Sequence, residues 1–355
     1  MRGLAAMFGG WRGLRRFWAI VLLAVLTTAG ALQLAGPPRP RSPVVVAAKP
    51  VEHPPAVHEP AVVHQTPAAA PAAGRPGRDT PGPVNDPDPA LLEPVHGSPA
   101  DVLPRISPDG RQSMQYYASG FDPTTLRPRV GLMIAGMALG SADSRKAITD
   151  LPGEITFAVS PYAANAEVLL SLARLAGHEY LLSIPMEPLR FPLSDPGPNA
   201  LMTTLPPPDN MTKLLWAMAR SKGYVGATSI LGELRGERLI DVPEQMNPVL
   251  AEFARRGLLY VGPPSQPAPV LHVWNRTVDL IVDEPTTAAA IDAQLAALET
   301  LARDRGSALG LAVAPRPVTV ARIAAWTTGL LGRGLALAPV SALMRPPAKE
   351  QDTPR

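Results

Sequence analysis

Cysteine is absent from the 355 residues, which excludes disulfides and thiolate metal sites alike. Histidine is scarce. Of the 6 in the chain, only His178 and His272 lie past residue 105, so a zinc site there could draw on at most two imidazoles. Charge is missing altogether from the run Phe17 to Gly36, while Arg2, Arg12, Arg15 and Arg16 precede it with no acidic residue among them. No basic stripe accompanies the small formal net charge of +3, so nucleic acid is not an expected partner.

The uncharged run matches the ~20 residues that span a bilayer, and its basic flank places the N-terminus in the cytoplasm. Residues 1–36 therefore read as a signal anchor in the inner membrane, single-pass, with the rest of the chain in the periplasm. The rival is a cleaved signal ending near Ala29-Gly30-Ala31, which would give a secreted protein. The apolar run continues past that site, which favours the anchor.

Proline is abundant where charge is not. Of the 44 prolines, 18 lie between Pro37 and Pro104, and such a composition predicts a disordered linker over 37–105. As a flexible coil its ~68 residues reach roughly 45 Å, and as polyproline II about 200 Å. His53, His58 and His64 lie in this tract, spaced by prolines, and read as solvated linker residues rather than metal ligands.

From about Ile106 the pattern alternates between strand and helix signals. Val130 to Ala135 is an apolar run broken at Gly136 and followed by the helix opening Ser141-Ala142-Asp143-Ser144. Further strands are expected at 154–160, 180–184, 224–231, 258–261, 278–283, 308–313 and 335–340. Helices are expected between them. In the one after Ala164, Val168, Leu169, Leu172 and Leu175 mark the apolar face and Gly177 the stop. Buried-type strands alternating with helices predict an α/β fold with a parallel sheet, open or closed into a barrel. The globular domain is expected over 106–345, with a disordered tail at 346–355.

Several segments resemble the divergent polysaccharide deacetylase family, which belongs to the wider group of NodB-like deacetylase barrels. They are Ile134-Ala-Gly-Met-Ala-Leu-Gly140, Ala158-Val-Ser-Pro-Tyr-Ala163, Gly177-His-Glu179, Ser183-Ile-Pro-Met-Glu-Pro188, Gly223-Tyr-Val-Gly226, Arg255-Arg-Gly-Leu-Leu259 and Leu337-Ala-Pro-Val-Ser-Ala-Leu343. The resemblance implies a distorted (β/α) barrel of about seven parallel strands and a role in carbohydrate metabolism. It also implies a divalent metal, usually zinc, held by two histidines and an aspartate, which polarises an acetamide and activates water.

This sequence departs from that pattern at the positions that carry the chemistry. The family's aspartate pair falls on Ala135 and Gly136, its first metal histidine on Ile230, the aspartate after the fifth strand on Gly262 and the late histidine on Ala314. None has a donor lone pair in its side chain, so no metal and no cofactor is expected, and the chain reads as a pseudoenzyme. His178, at the amino end of its strand, reads as structural, and the region of His272 departs from the family pattern.

At the strand exits, Tyr162, Glu187 and Asp283 are the ligand-cleft candidates: a stacking face with a hydroxyl, and two carboxylates that can accept from sugar hydroxyls. Against each stands a structural role, Glu187 capping a loop and Asp283 anchoring the following helix. A Glu187–Asp283 pair held about 5 to 10 Å apart could instead hydrolyse a glycoside. The expected partner is a polysaccharide or peptidoglycan-type glycan, or an envelope protein. The alternatives are an active polysaccharide deacetylase or hydrolase with an unconventional site, and an envelope scaffold.

Overall fold

Strand β3, Arg129–Met137, is buried from Val130 onward and sends alternate side chains to opposite layers. Val130, Leu132 and Ile134 join an outer layer between sheet and helices, whereas Met133 and Ala135 point into the barrel interior. The run is therefore apolar on both faces, as a strand covered on both sides requires.

The computed structural model describes residues 18, 22, 77–79, 82–95, 98–164, 166–264 and 273–347. The chain divides into two units, Met1–Thr66 and Pro67–Arg355. Of the first, only Trp18 and Leu22 are described, both helical and exposed. The expected anchor over 17–36 otherwise falls outside the described residues, as do His53, His58, His64 and His272. Among the described residues no helix is long and apolar enough to cross a membrane.

In the second unit, β1 (Leu92–Val95) and β2 (Ser98–Pro104) form an antiparallel hairpin, followed by helix α1 (Ser113–Tyr116). After β3 come α2 (Ser141–Asp150), β4 (Thr156–Val159), α3 (Ala166–Leu175), β5 (Tyr180–Ser183), α4 (Pro207–Met218) and β6 (Gly226–Thr228). Then follow α5 (Glu237–Ile240), α6 (Pro243–Arg255), β7 (Leu259–Gly262), β8 (Asn275–Thr277) and β9 (Leu280–Ile281). The chain closes with α7 (Ala288–Arg305), β10 (Ser307–Ala312), α8 (Pro317–Thr328), β11 (Ala336–Leu337) and the 3-10 turn Val340–Leu343.

The sheet runs β8-β7-β6-β5-β4-β3-β10-β9 with every neighbour parallel, and β11 pairs with the start of β3. This is the expected α/β barrel, a curled sheet of eight parallel strands flanked by helices. The count exceeds seven because Asn275–Thr277, ahead of the strand expected at 278–283, forms a strand of its own, while the expected one is reduced to Leu280–Ile281. β8 pairs with β7 and β9 with β10, and the joining residues reach both sides: the Val278 amide donates to Gly262 O at 3.1 Å and the Asp279 amide to Leu309 O at 2.8 Å. One stretch of chain thus serves both edges of the sheet, and β7 and β9 part company above Val278.

The interior is filled by Met133, Ala135, Leu181, Val225, Leu259, Val261, Leu309 and Leu311, and its amino end is plugged by Val340 and Leu343. Gly131 makes room for that plug. A Cβ there would lie 2.4 Å from Leu343 Cδ1 and 3.0 Å from Ala338 O, so any side chain would displace the floor.

Two expectations are corrected. Residues 82–95 and 98–104, expected in the disordered linker, are built onto the barrel: Val84, Leu91 and Leu103 are buried, and two buried arginines fasten the segment. Arg174 O accepts from the Val84 amide at 2.8 Å, and Arg256 Nη1 reaches Glu93 and Pro104 O, both at 2.6 Å. Proline-rich composition hid three apolar anchors. The face of α3 is also rotated from the expected one: Ala166, Leu169, Leu170 and Ala173 are buried, while Val168 and Leu175 are 64% and 70% exposed. Because this helix is apolar on more than one side, periodicity alone chose the wrong stripe.

Candidate functional site

The carboxyl ends of the parallel strands form the mouth, where chemistry is concentrated in barrels of this kind. Strand β3 reaches it through a bulge: its pairing with β4 shifts between Ile134 and Met137, and both Gly136 and Ala138 adopt positive φ, at 67° and 66°. The Ala138 amide donates to Ser144 Oγ at 3.0 Å, which ties the strained turn to the first turn of α2.

This bulge brings two of the family positions together. A Cβ on Gly136 would lie 3.2 Å from Val313 O and 3.7 Å from Ala314 Cα. Ala135 and Ile230 are fully buried in the apolar interior, and the space beside Gly262 is faced by the Tyr260 ring at 3.5 Å. Methyl, methylene and hydrogen line these places, so the residues present do not fit a zinc ion. Among the described residues no three His, Cys, Asp or Glu side chains are grouped so as to hold a metal.

The cleft candidates sit at strand exits as expected, and each is engaged. Asp283, fully buried after β9, accepts from the Val313 amide at 2.9 Å, Arg316 Nη1 at 3.3 Å and Thr319 Oγ1 at 3.4 Å. It thereby ties the exits of β9 and β10 to the first turn of α8. Burial pushes its carboxyl above the usual range, opposed by the Val313 amide and the Arg316 charge. Arg316 continues outward to Glu233 at 2.7 Å.

Glu187 is 1% exposed. Its Oε2 accepts from the Thr203 amide at 2.6 Å and Thr203 Oγ1 at 2.7 Å, and Arg238 Nη1 lies 3.0 Å from Oε1. This carboxylate closes the long loop after β5. Tyr162 is half-buried: its hydroxyl accepts from the Asn199 amide at 3.2 Å, its ring packs 5.5 Å from Trp216, and Gly197 leaves the space it fills. Burial pushes its phenol up. Thr203 and Arg235 lie on loops and Arg238 on the one-turn helix α5, none with a periodic pattern in the sequence, and only the fold brings them to the mouth.

His178 and Glu179 lie at the opposite end, where β5 begins. His178 Nδ1 is 2.8 Å from Ile155 O and Nε2 is 3.2 Å from Ile148 O, with the ring 4.4 Å from that of Phe157. Glu179 accepts from Ser119, Thr156 and Ser341, which binds the start of β5 to the floor of the barrel. The structural reading of His178 agrees with this position.

No curated protein matches the chain. Among solved structures, it is similar to the uncharacterized protein ATU2773 of Agrobacterium tumefaciens C58. The two share 31% identity with a TM-score of 0.65, over 68% of this chain and 99% of that one. EF3048 of Enterococcus faecalis V583 is far more distant, at 11% identity and a TM-score of 0.43 over 62% of this chain and 100% of the other. The family model for divergent polysaccharide deacetylase matches residues 132–344, from the middle of β3 to just past the floor plug. That span takes in β3 to β11 and every family position named above: the chain belongs to the divergent polysaccharide deacetylase family.

Proposed function

We propose that this family member acts by binding rather than by hydrolysis, as a barrel tethered to the inner membrane through its N-terminal segment and facing the periplasm, where it engages an envelope component. The reading rests above all on the contact between positions 136 and 314. Two places that the family fills with metal ligands meet at the mouth, and here they hold a hydrogen and a methyl. Neither cleft carboxylate replaces them, since Glu187 and Asp283 are buried and their oxygens are already paired with loop and helix donors. A general acid or base has to reach the proton it moves, and neither carboxylate is free to. The same engagement leaves Glu187 and Asp283 little capacity for sugar hydroxyls, which favours a protein over a glycan as the bound component. The tether and its topology rest on the uncharged, arginine-flanked run Phe17 to Gly36.

The test is metal content together with turnover. Full-length protein in detergent should carry no stoichiometric zinc, keep its melting temperature in chelator, and release no acetate from acetylated glycans. One tightly held metal per chain, or metal-dependent acetate release, would overturn the reading. A C-terminal reporter active only outside the cytoplasm should be active; one active only in the cytoplasm would reverse the topology.

A further inference from the structure

Among the described residues the barrel wall has a gap above Val278, because β7 ends at Gly262 while β9 pairs there with β10 alone. A cavity of about 550 Å3 opens there, walled by Leu189, Pro264, Leu280 and Ile281 on its apolar side and by Arg235, Glu237, Asp241 and Glu284 on its charged side. We infer that this notch docks a short aliphatic segment of a partner protein that carries a lysine. The inference rests on the binding reading above and names its site and partner chemistry.

Charge selects the occupant. Arg235 Nη2 holds both oxygens of Glu284, at 2.7 and 2.6 Å, so those two charges cancel. Glu237 and Asp241, both on the short α5 turn, enter no ion pair or side-chain hydrogen bond among the described residues, and a net charge of −2 is left over an apolar floor. The whole chain carries +3, so attraction of a cation here is local and owes nothing to the overall field.

Chemistry narrows the choice further. The wall residues named are aliphatic, without the aromatic face on which a sugar ring stacks. Leu189, at 65% exposed, extends the apolar floor outward onto the β5 loop. A lysine flanked by leucine or valine satisfies both sides: its ammonium faces Glu237 and Asp241, and its neighbours cover Leu189, Leu280 and Ile281. None of the lining residues is one of the family positions 135, 136, 230, 262 and 314.

The experiment is fluorescence anisotropy on the full-length protein in detergent. The probe is a labelled synthetic peptide of alternating leucine and lysine, with a leucine–glutamate counterpart and a glucosamine oligomer as competitors. The lysine peptide should bind and weaken with added salt, and the glutamate peptide should not. The double variant Glu237→Gln/Asp241→Asn should weaken binding at least about tenfold, the equivalent of roughly 1.4 kcal/mol. Its melting temperature should stay that of the wild type, because neither carboxylate has an ion pair or side-chain hydrogen bond to lose among the described residues. Leu189→Ser should weaken binding without altering the salt dependence.

Equal binding of both peptides, no effect of the double variant, no peptide binding at all, or displacement by the glucosamine oligomer would each overturn the inference. Any of these alongside zinc-free, non-hydrolytic protein removes the notch and leaves the binding reading standing. Metal-dependent acetate release removes the binding reading itself.

Discussion

Replacing Glu179 by glutamine changes one atom in a fully buried carboxylate, and the consequence can be worked from its four bonds. Oε1 accepts from Thr156 Oγ1 at 3.0 Å and the Ser341 amide at 2.9 Å; Oε2 accepts from the Ser119 amide at 2.9 Å and Ser341 Oγ at 2.6 Å. Each oxygen therefore serves one backbone N–H, which cannot turn away, and one hydroxyl, which can. A carboxyl oxygen keeps a lone pair for that N–H even when protonated, whereas an amide nitrogen has none to offer. Whichever way the glutamine amide is oriented, one backbone donor is stranded, at about 1–3 kcal/mol. Thermal unfolding of full-length protein should show a loss of about 2 kcal/mol, or roughly 4–8 °C for a domain of this size. Glu179→Ala strands both amides and opens a cavity, so it should cost more, about 3–5 kcal/mol. A glutamine variant within ~0.5 kcal/mol of wild type, the scatter of an ordinary surface change, would refute the argument that this carboxylate locks β5 to the barrel floor.

That lock explains part of what the sequence conceals. Strand β3 was legible because its signal is local, an apolar run broken at Gly136. The separate strand β8 at Asn275–Thr277 was not, since which edge each residue joins depends on where β7 and β10 end. The hairpin at 92–104 was hidden by its prolines. It is held by Arg256, a side chain roughly 160 residues away in sequence, and the stretch before it by Arg174. At the mouth, Ala135, Gly136, Ile230, Gly262 and Ala314 were named only through the family resemblance, position by position. Whether Glu187 and Asp283 were free was not legible, because Thr203 approaches from a loop and Arg238 from a one-turn helix, neither with periodicity.

The two faces of α3 give the simplest remaining test. Leu170→Ala should cost about 2–4 kcal/mol in chemical denaturation, and Val168→Glu, 64% exposed in the wild type, should stay within ~0.5 kcal/mol; the reverse order would restore the outward face as the core. Arg256→Met should free the hairpin from Glu93 and Pro104 O, seen as faster hydrogen exchange over 92–104 while the strand amides of β3 stay protected; unchanged exchange there would show that apolar burial alone holds it. The last concerns acid. Burial lowers the His178 pKa below its usual value, against the pull of the two carbonyls and Glu154, so the folded protein keeps the ring neutral at a pH where the unfolded chain already binds a proton. The unfolded state then holds more protons, and stability falls as pH drops through the ordinary imidazole range near ~6.5. His178→Asn retains one donor toward Ile155 O yet cannot take up a proton, so its stability should change less between pH 7 and 5 than that of the wild type. Parallel stability curves for the two proteins across that interval would mean that His178 is not the group that titrates.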